Sequence, residues 1–290
     1  MKPSFFIVGA PKAGTTALHA YLEKHPQVCM SRDKEPNFFS WQEIEAQQLY
    51  YKKENARTEE HYLALFHPSA QTKICGEASV SYLFYEKVPE RIKKYNPDAR
   101  IIMALRNPVH RAFSHYQMDY SLGLVHEDFE TIFRNGREHP KTGAYFQQYF
   151  LLSDYAPQVE RYLRCFPKEQ IHVLLQDDLV KHPEATLKKL CDFLGIDRAL
   201  ASPVLEQHNV TGAGKNRMIR TLYKYQFVRK TLALLTGEKM RNKIKGLLFS
   251  KSHLPVLQPS FAAELRTYYQ PGLERLQTLI GLPVELLSGR

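Results

Sequence analysis

The chain has 290 residues, a formal net charge of +10, 43% hydrophobic and 24% charged residues. That usage is ordinary for a globular protein and excludes a collagenous, low-complexity or disordered chain. Phe5–Val8 is too short for a signal-peptide core, and no apolar run reaches the roughly 18 residues of a membrane span. A chain of this length buries about three-quarters of its unfolded surface, so a large core is expected.

In chain order, Phe5–Gly9 is an apolar run that predicts a strand, and Thr15–Lys24 carries helical spacing in Ala17, Leu18, Tyr21 and Leu22. Between them lies Gly9-Ala10-Pro11-Lys12-Ala13-Gly14-Thr15-Thr16. Strand, glycine-containing turn and helix follow without a break, and Gly9-x4-Gly14 fits the frame of a phosphate loop. Free N–H groups of Gly14, Thr15 and Thr16 at a helix start point towards an anion, aided by the helix dipole. A nucleotide triphosphatase places lysine directly after the second glycine. Here that position is Thr15 and the lysine is Lys12, inside the turn. The loop therefore suits a single phosphate group rather than a β,γ pair with magnesium.

Ser31-Arg32-Asp33-Lys34-Glu35-Pro36-Asn37-Phe38-Phe39 comes next. Its aromatic pair can anchor the segment in a core while the charges face a cleft. Lys73–Glu77 predicts a strand, Pro89–Tyr95 a helix, Ile101–Leu105 a buried strand and Pro108–Tyr120 a helix with proline in its first turn. Arg106 falls at the end of the Ile101–Leu105 strand, where an open parallel sheet binds ligands. Ser114 lies about two helical turns inside the next helix. A forked guanidinium and a hydroxyl suit a terminal phosphate. Ile171–Leu175 predicts another strand, followed by Asp177 and Asp178, and Pro183–Leu194 a helix closed by Gly195.

Strands alternating with helices predict βαβ units and a parallel sheet. After about Pro203 no further strands are expected. Helices are expected over Met218–Leu235, Glu238–Phe249 and Pro259–Ile280. Residues 211–251 hold eleven Lys or Arg and one acid, Glu238, which matches the net charge of the whole chain. Such a block suggests an anionic ligand, a membrane surface or nucleic acid. The expected architecture is thus α/β: a P-loop-like parallel sheet flanked by helices, with a basic helical C-terminal extension. It is read as one domain over 1–290, with an α/β core over 1–203 and an extension over 204–290 packing on it. Cys29, Cys75, Cys165 and Cys191 form no ligand spacing and are expected to be reduced.

The loop Gly-x-Pro-Lys-x-Gly-Thr-Thr after an N-terminal strand resembles the 5′-phosphosulfate loop of sulfotransferases that use 3′-phosphoadenosine-5′-phosphosulfate (PAPS). Arg-x-Pro followed by Arg-x-x-Ser-x-Tyr, spanning Arg106 to Tyr116, is similar to the family's 3′-phosphate motif. Glu-x-x-Phe-Phe at Glu35–Phe39 resembles the glycan-modifying branch, bacterial and Golgi-type. The resemblance implies sulfuryl transfer to a hydroxyl of a carbohydrate or glycoconjugate, with Glu35 as general base. It implies donor binding by Pro11, Lys12, Ala13, Gly14, Thr15, Thr16, Arg106 and Ser114, with Lys251 added from a C-terminal loop and no metal. Lys12 would also stabilise the departing phosphate. Arg111 is read as structural, and His110, His115 and His126 are the alternative bases.

Cys75–Tyr82 is similar to the family's Glu-x-Ser-Pro-x-Tyr segment, with Val80 where proline is usual and Ala78 where the heparan branch has lysine. Glu77 and Ser79 are expected to line the cleft. The acceptor, an acidic glycan, a lipid-linked sugar or a small natural product, would be met by variable loops at 40–57 and 123–149. The competing readings are a P-loop kinase or ATPase, using Asp177 and Asp178, and a nucleic-acid binder, for which no recognised module is present. A bacterial cytoplasmic enzyme is the expected setting, with a Golgi lumenal domain lacking its anchor as the alternative.

Overall fold

The computed structural model describes residues 1–49, 55–136, 140–200, 213–214, 249–250, 254–283 and 287. Residues 215–248 and Lys251 lie outside the described residues. With them go Lys251 as a donor ligand and nearly all of the basic block and its two expected helices.

The first half of the chain runs β1 (Phe5–Gly9), α1 (Thr15–Glu23), β2 (Val28–Met30), α2 (Trp41–Ala46), α3 (Glu59–Leu63), β3 (Ile74–Ala78), α4 (Val88–Tyr95), β4 (Arg100–Leu105) and α5 (Pro108–Ser121). There follow α6 (Phe129–Asn135), α7 (Pro140–Tyr149), α8 (Tyr155–Cys165), β5 (Ile171–Leu175), α9 (Gln176–Lys181), α10 (Pro183–Leu194) and, near the C-terminus, α11 (Pro259–Ile280). Within the described residues, the strands and helices expected before residue 200 and the helix over Pro259–Ile280 are present within a residue or two of their predicted ends. Gly195 closes α10 in the left-handed region at φ 68°.

Five strands pair in parallel in the order β2-β3-β1-β4-β5. Every residue of β1 and β3 is buried, as is all of β4 after Arg100. This explains their continuous apolar runs, because a parallel sheet covered by helices has no solvent face. The chain builds one side of β1 first, with β2 and β3, and then crosses to build the other with β4 and β5. The switch lies between β1 and β4, so the loops after these two strands open side by side at the carboxyl edge.

Three expectations are corrected. Ala213–Gly214 and Phe249–Ser250 form a short antiparallel pair, so strands do not stop at Pro203, and Phe249 is in a strand rather than a helix. The segments read as variable loops carry helices α2, α6 and α7. Strand β2 was missed because three residues are too short to display a period.

The described chain divides into two compact units, Met1–Arg111 with Leu152–His208 and Tyr269–Arg290, and Ala112–Leu151 with Asn209–Tyr268. The stretch after residue 203 thus contributes to both. The second unit has an aromatic core of its own, in which Phe129 stacks on Phe150 at 4.9 Å and Phe133 meets Phe261 edge-on at 5.5 Å. Arg134 donates to both carboxylate oxygens of Glu264, at 2.6 and 2.7 Å.

Gly9 ends β1 where there is no room for a side chain. A Cβ there would stand 2.8 Å from the Leu83 Cβ and 3.3 Å from the Val80 carbonyl oxygen. Gly9→Ala is expected to destabilise the protein by about 1–3 kcal/mol through overpacking, read as a lower urea midpoint with an unchanged slope.

Candidate active site

The turn from β1 to α1 is built around two residues in the left-handed region, Lys12 at φ 68° and Gly14 at φ 91°. Gly14 is the N-cap of α1, and no side chain caps the helix. The N–H of Leu18 bonds the Gly14 carbonyl at 3.1 Å. The N–H groups of Thr15, Thr16 and Ala17 therefore precede the ladder, which is where a helix accepts an external anion. Thr15 is buried and Thr16 is partly exposed. This uncapped start, with Lys12 in the turn, fits a phosphate group.

Arg106 leaves the end of β4 beside this turn. Its Nη1 donates to the Lys12 carbonyl at 3.2 Å, and its own carbonyl accepts from the Tyr155 hydroxyl at 2.9 Å. The switch in strand order thus brings Lys12 and Arg106 together from positions 94 residues apart in the chain. Burial pulls the Arg106 guanidinium down from its ordinary pKa, with Tyr155 and Asp177 opposing. A partly desolvated guanidinium binds an anion more strongly than one in open water. Asp177, weighed as a magnesium ligand, bonds Lys181 at 3.1 Å.

Helix α5 begins at Pro108 and is capped by Asn107, whose Oδ1 accepts the His110 N–H at 3.0 Å. Arg111 is fully buried and donates Nε–H to the Ser153 Oγ at 2.5 Å. Ser114 is half-buried on this helix, within the second unit. Of the alternative bases, His110 and His126 are exposed. His115 is buried with its Nδ1 3.0 Å from the Gln148 carbonyl.

Glu35 follows β2 in a segment with two more left-handed residues, itself at φ 61° and Asn37 at φ 53°. Such conformations cost of order 1–3 kcal/mol each and persist only when the surroundings enforce them. The enforcement is visible. The Glu35 N–H bonds the Ala78 carbonyl at 2.9 Å, Phe38 stacks on Tyr62 at 4.4 Å, and Phe39 packs edge-on to Phe6 and Tyr82. Arg91 donates to the Phe39 carbonyl at 2.6 Å and forks onto both oxygens of Glu43. Beyond the aromatic anchor, Lys34 and Glu35 are each about a quarter exposed, and the Lys34 Nζ holds the Glu35 Oε1 at 2.8 Å.

Glu77 and Ser79 do not line a cleft. Both are fully buried beneath this segment. Alternation within a strand cannot reveal this where both faces of the sheet are covered.

His19 was not singled out by the sequence, where it reads as one residue in an amphipathic helix. It is 6% exposed on α1, and its Nε2 is buried without a hydrogen-bond partner. Burial depresses the ring's pKa, the Glu23 charge opposes this, Lys34 adds to it, and the Ser31 backbone and Glu35 also oppose it. The ring thus lies within electrostatic reach of Lys34 and Glu35. Burial also depresses His172, with Lys189 assisting.

A native ring held below the ordinary value of about 6.5 takes up a proton later than the unfolded chain does. Stability therefore falls as pH drops below about 6.5, by up to roughly 1.4 kcal/mol per pH unit for each ring. The urea midpoint is expected to decline between pH 7.5 and 5.5, and less steeply in His19→Gln.

The comparisons agree with this architecture. Residues 3–199 match the sulfotransferase family. The chain is 29% identical over 201 residues to the bifunctional heparan sulfate N-deacetylase/N-sulfotransferase 2 of Bos taurus, covering 67% of this chain and 22% of that protein. It is 30% identical over 199 residues to the heparan sulfate glucosamine 3-O-sulfotransferase 6 of Homo sapiens, covering 68% of this chain and 54% of that protein. The chain thus spans between about a fifth and about half the length of these curated relatives. A crystal structure of a sulfotransferase from Alicyclobacillus acidocaldarius superposes with a TM-score of 0.71 at 28% identity, covering 98% of this chain and 97% of that one. With this match over two-thirds of its length, on the strands that carry Lys12, Glu35 and Arg106, the chain belongs to the sulfotransferase family.

Proposed function

We propose that this chain transfers a sulfuryl group from PAPS to a hydroxyl of a carbohydrate or glycoconjugate, with Glu35 as the general base. The observation that carries this is the meeting of Lys12 and Arg106 at an uncapped helix start, on the sulfotransferase scaffold. Bound PAPS supplies the sulfuryl group and a phosphate as leaving group. Lys12 and the N–H groups of Gly14, Thr15 and Thr16 would hold the 5′-phosphate and offset the negative charge that grows on it. The left-handed turn at Lys12 and Gly14, with Pro11 and Ala13 around it, sets these donors before the reaction, so no reorganisation accompanies charge development. Arg106, beside the Lys12 turn, would take the 3′-phosphate.

Glu35 would accept the proton of the attacking hydroxyl, a task typically worth 10²–10⁴-fold. Its backbone bond to Ala78 and the Lys34 contact at Oε1 hold the carboxylate in one orientation. The heparan sulfate enzymes among the relatives support a glycan acceptor. An acidic glycan or a lipid-linked sugar is the proposed partner class. Among the described residues no helix is long and apolar enough to cross a membrane.

The decisive test is calorimetric titration with 3′-phosphoadenosine-5′-phosphate, with ATP and magnesium run in parallel. Binding of the bisphosphate, abolished or weakened at least 100-fold by Arg106→Ala, is expected. Binding of ATP with magnesium and not of the bisphosphate would replace this reading with a nucleotide kinase. Transfer of labelled sulfate from PAPS to desulfated heparan oligosaccharides tests the acceptor class. In that assay Lys12→Ala is expected to lower kcat by roughly 10²–10³. An unchanged kcat would remove Lys12 from the mechanism.

A further inference from the structure

Glu77 is a carboxylate on β3 with no exposure to solvent. Burying a carboxylate is unfavourable unless hydrogen bonds compensate for its lost hydration. Three hydroxyls do so. Tyr62 and Tyr82 donate to its Oε1, each at 2.7 Å, and Ser79 donates to its Oε2 at 2.5 Å.

Two of these hydroxyls have a second task. The Ser79 Oγ accepts the Asn37 N–H at 3.1 Å, and the Tyr82 Oη accepts the Phe39 N–H at 3.3 Å. A hydroxyl has one proton and two lone pairs. When its proton is committed to an ionised carboxylate, its lone pairs face the opposite way. Glu77 therefore turns the oxygens of Ser79 and Tyr82 towards the backbone of the segment that starts at Glu35. Burial and the Glu77 charge both push the phenols of Tyr62 and Tyr82 well above their ordinary range, which keeps them as donors.

The segment needs such anchors, since Glu35 and Asn37 both sit in the left-handed region. Of three main-chain N–H groups tying it down, at Glu35, Asn37 and Phe39, two are received by hydroxyls that Glu77 orients.

We propose that Glu77 is a positioning residue for the base: through Ser79 and Tyr82 it clamps the Glu35–Phe39 backbone and so aims the Glu35 carboxylate. This rests on Glu35 acting as the base. Glu77 itself touches no reacting atom. Its role depends on being an acceptor at both oxygens. An amide in its place presents a donor to Ser79 and reverses the hydrogen-bond direction there.

The test compares Glu77→Gln, Glu35→Gln and the double variant, with Ser79→Ala and Ser79→Thr alongside. Backbone amide exchange is followed by mass spectrometry. In Glu77→Gln and Ser79→Ala, exchange in the peptide covering 35–39 is expected to rise at least tenfold, while the peptide covering 10–17 is unchanged. Affinity for 3′-phosphoadenosine-5′-phosphate is expected to stay within threefold. In sulfate transfer from PAPS to desulfated heparan oligosaccharides, Glu77→Gln should lower kcat 10- to 100-fold. In the Glu35→Gln background the same change should cost less than threefold. Ser79→Thr, which keeps the hydroxyl, should recover most of the activity lost in Ser79→Ala.

Unchanged exchange over 35–39 in both Glu77→Gln and Ser79→Ala would overturn the clamp. So would a full additional loss on adding Glu77→Gln to Glu35→Gln, because Glu77 would then act elsewhere. If Glu77→Gln does not fold, Ser79→Ala decides by the same exchange and kinetic readouts. A Glu35→Gln enzyme with wild-type kcat would instead remove the base assignment, and this proposal with it. That outcome is distinct from an inactive Glu35→Gln beside a fully active Glu77→Gln, which overturns the positioning role alone.

Discussion

Parallel pairing of β1 on both of its edges is the constraint on which the rest of the site depends. With β3 on one side and β4 on the other, β1 has no free edge and no solvent face. Its chain must leave upwards, through a turn into α1, and the neighbouring strand β4 must leave in the same direction. Two loops distant in sequence are thereby forced into contact, and the Arg106 guanidinium meets the Lys12 carbonyl. The close packing of Gly9 against Leu83 and Val80 belongs to the same constraint, since it lets the turn begin immediately above the sheet.

The other flank of β1 supports a different part of the site. β3 pairs with β1 and β2, and the residues at its end hold the segment after β2. Ala78 receives the Glu35 N–H, while Ser79 and Tyr82 receive those of Asn37 and Phe39. Phe39 packs edge-on to Phe6 of β1 at 5.7 Å. Arg106, after β4, and the candidate base, on the β3 side, are therefore attached to opposite sides of β1, whose own end makes the Lys12 turn. Their geometry rests on main-chain hydrogen bonds and ring packing rather than on long exposed side chains. Such a base is held without the entropy cost of ordering a flexible loop on each turnover.

Burial sets the electrostatics in both places. The Arg106 guanidinium is partly removed from water, which strengthens its attraction for an anion and lowers its ordinary pKa. His19, more deeply enclosed, is held towards its neutral form by burial, with the Lys34 charge assisting and Glu23, the Ser31 backbone and Glu35 opposing. Glu77 is enclosed completely and is matched by hydroxyl donors. The ion pair of Lys181 with Asp177 is exposed and contributes little, because water screens it.

Much of this was legible in the amino-acid sequence. Glycine spacing between an apolar run and a helical pattern specifies the strand–turn–helix that carries Lys12, because backbone geometry there is local. Apolar runs bounded by turn residues located β1, β3, β4 and β5, since buried parallel strands need no alternation. Sequence also presented Arg106 and Glu35 as candidates. What it left undecided is what depends on contacts between distant segments. Strand order brought Arg106 to the Lys12 turn. The covering of β3 on both faces turned Glu77 and Ser79 from expected cleft residues into a buried support. Burial of a histidine on α1 was hidden, because one polar residue in an amphipathic helix has no signature of its own. Local propensity is written in neighbouring residues, whereas burial and hydrogen-bond partners arise only when the sheet has assembled.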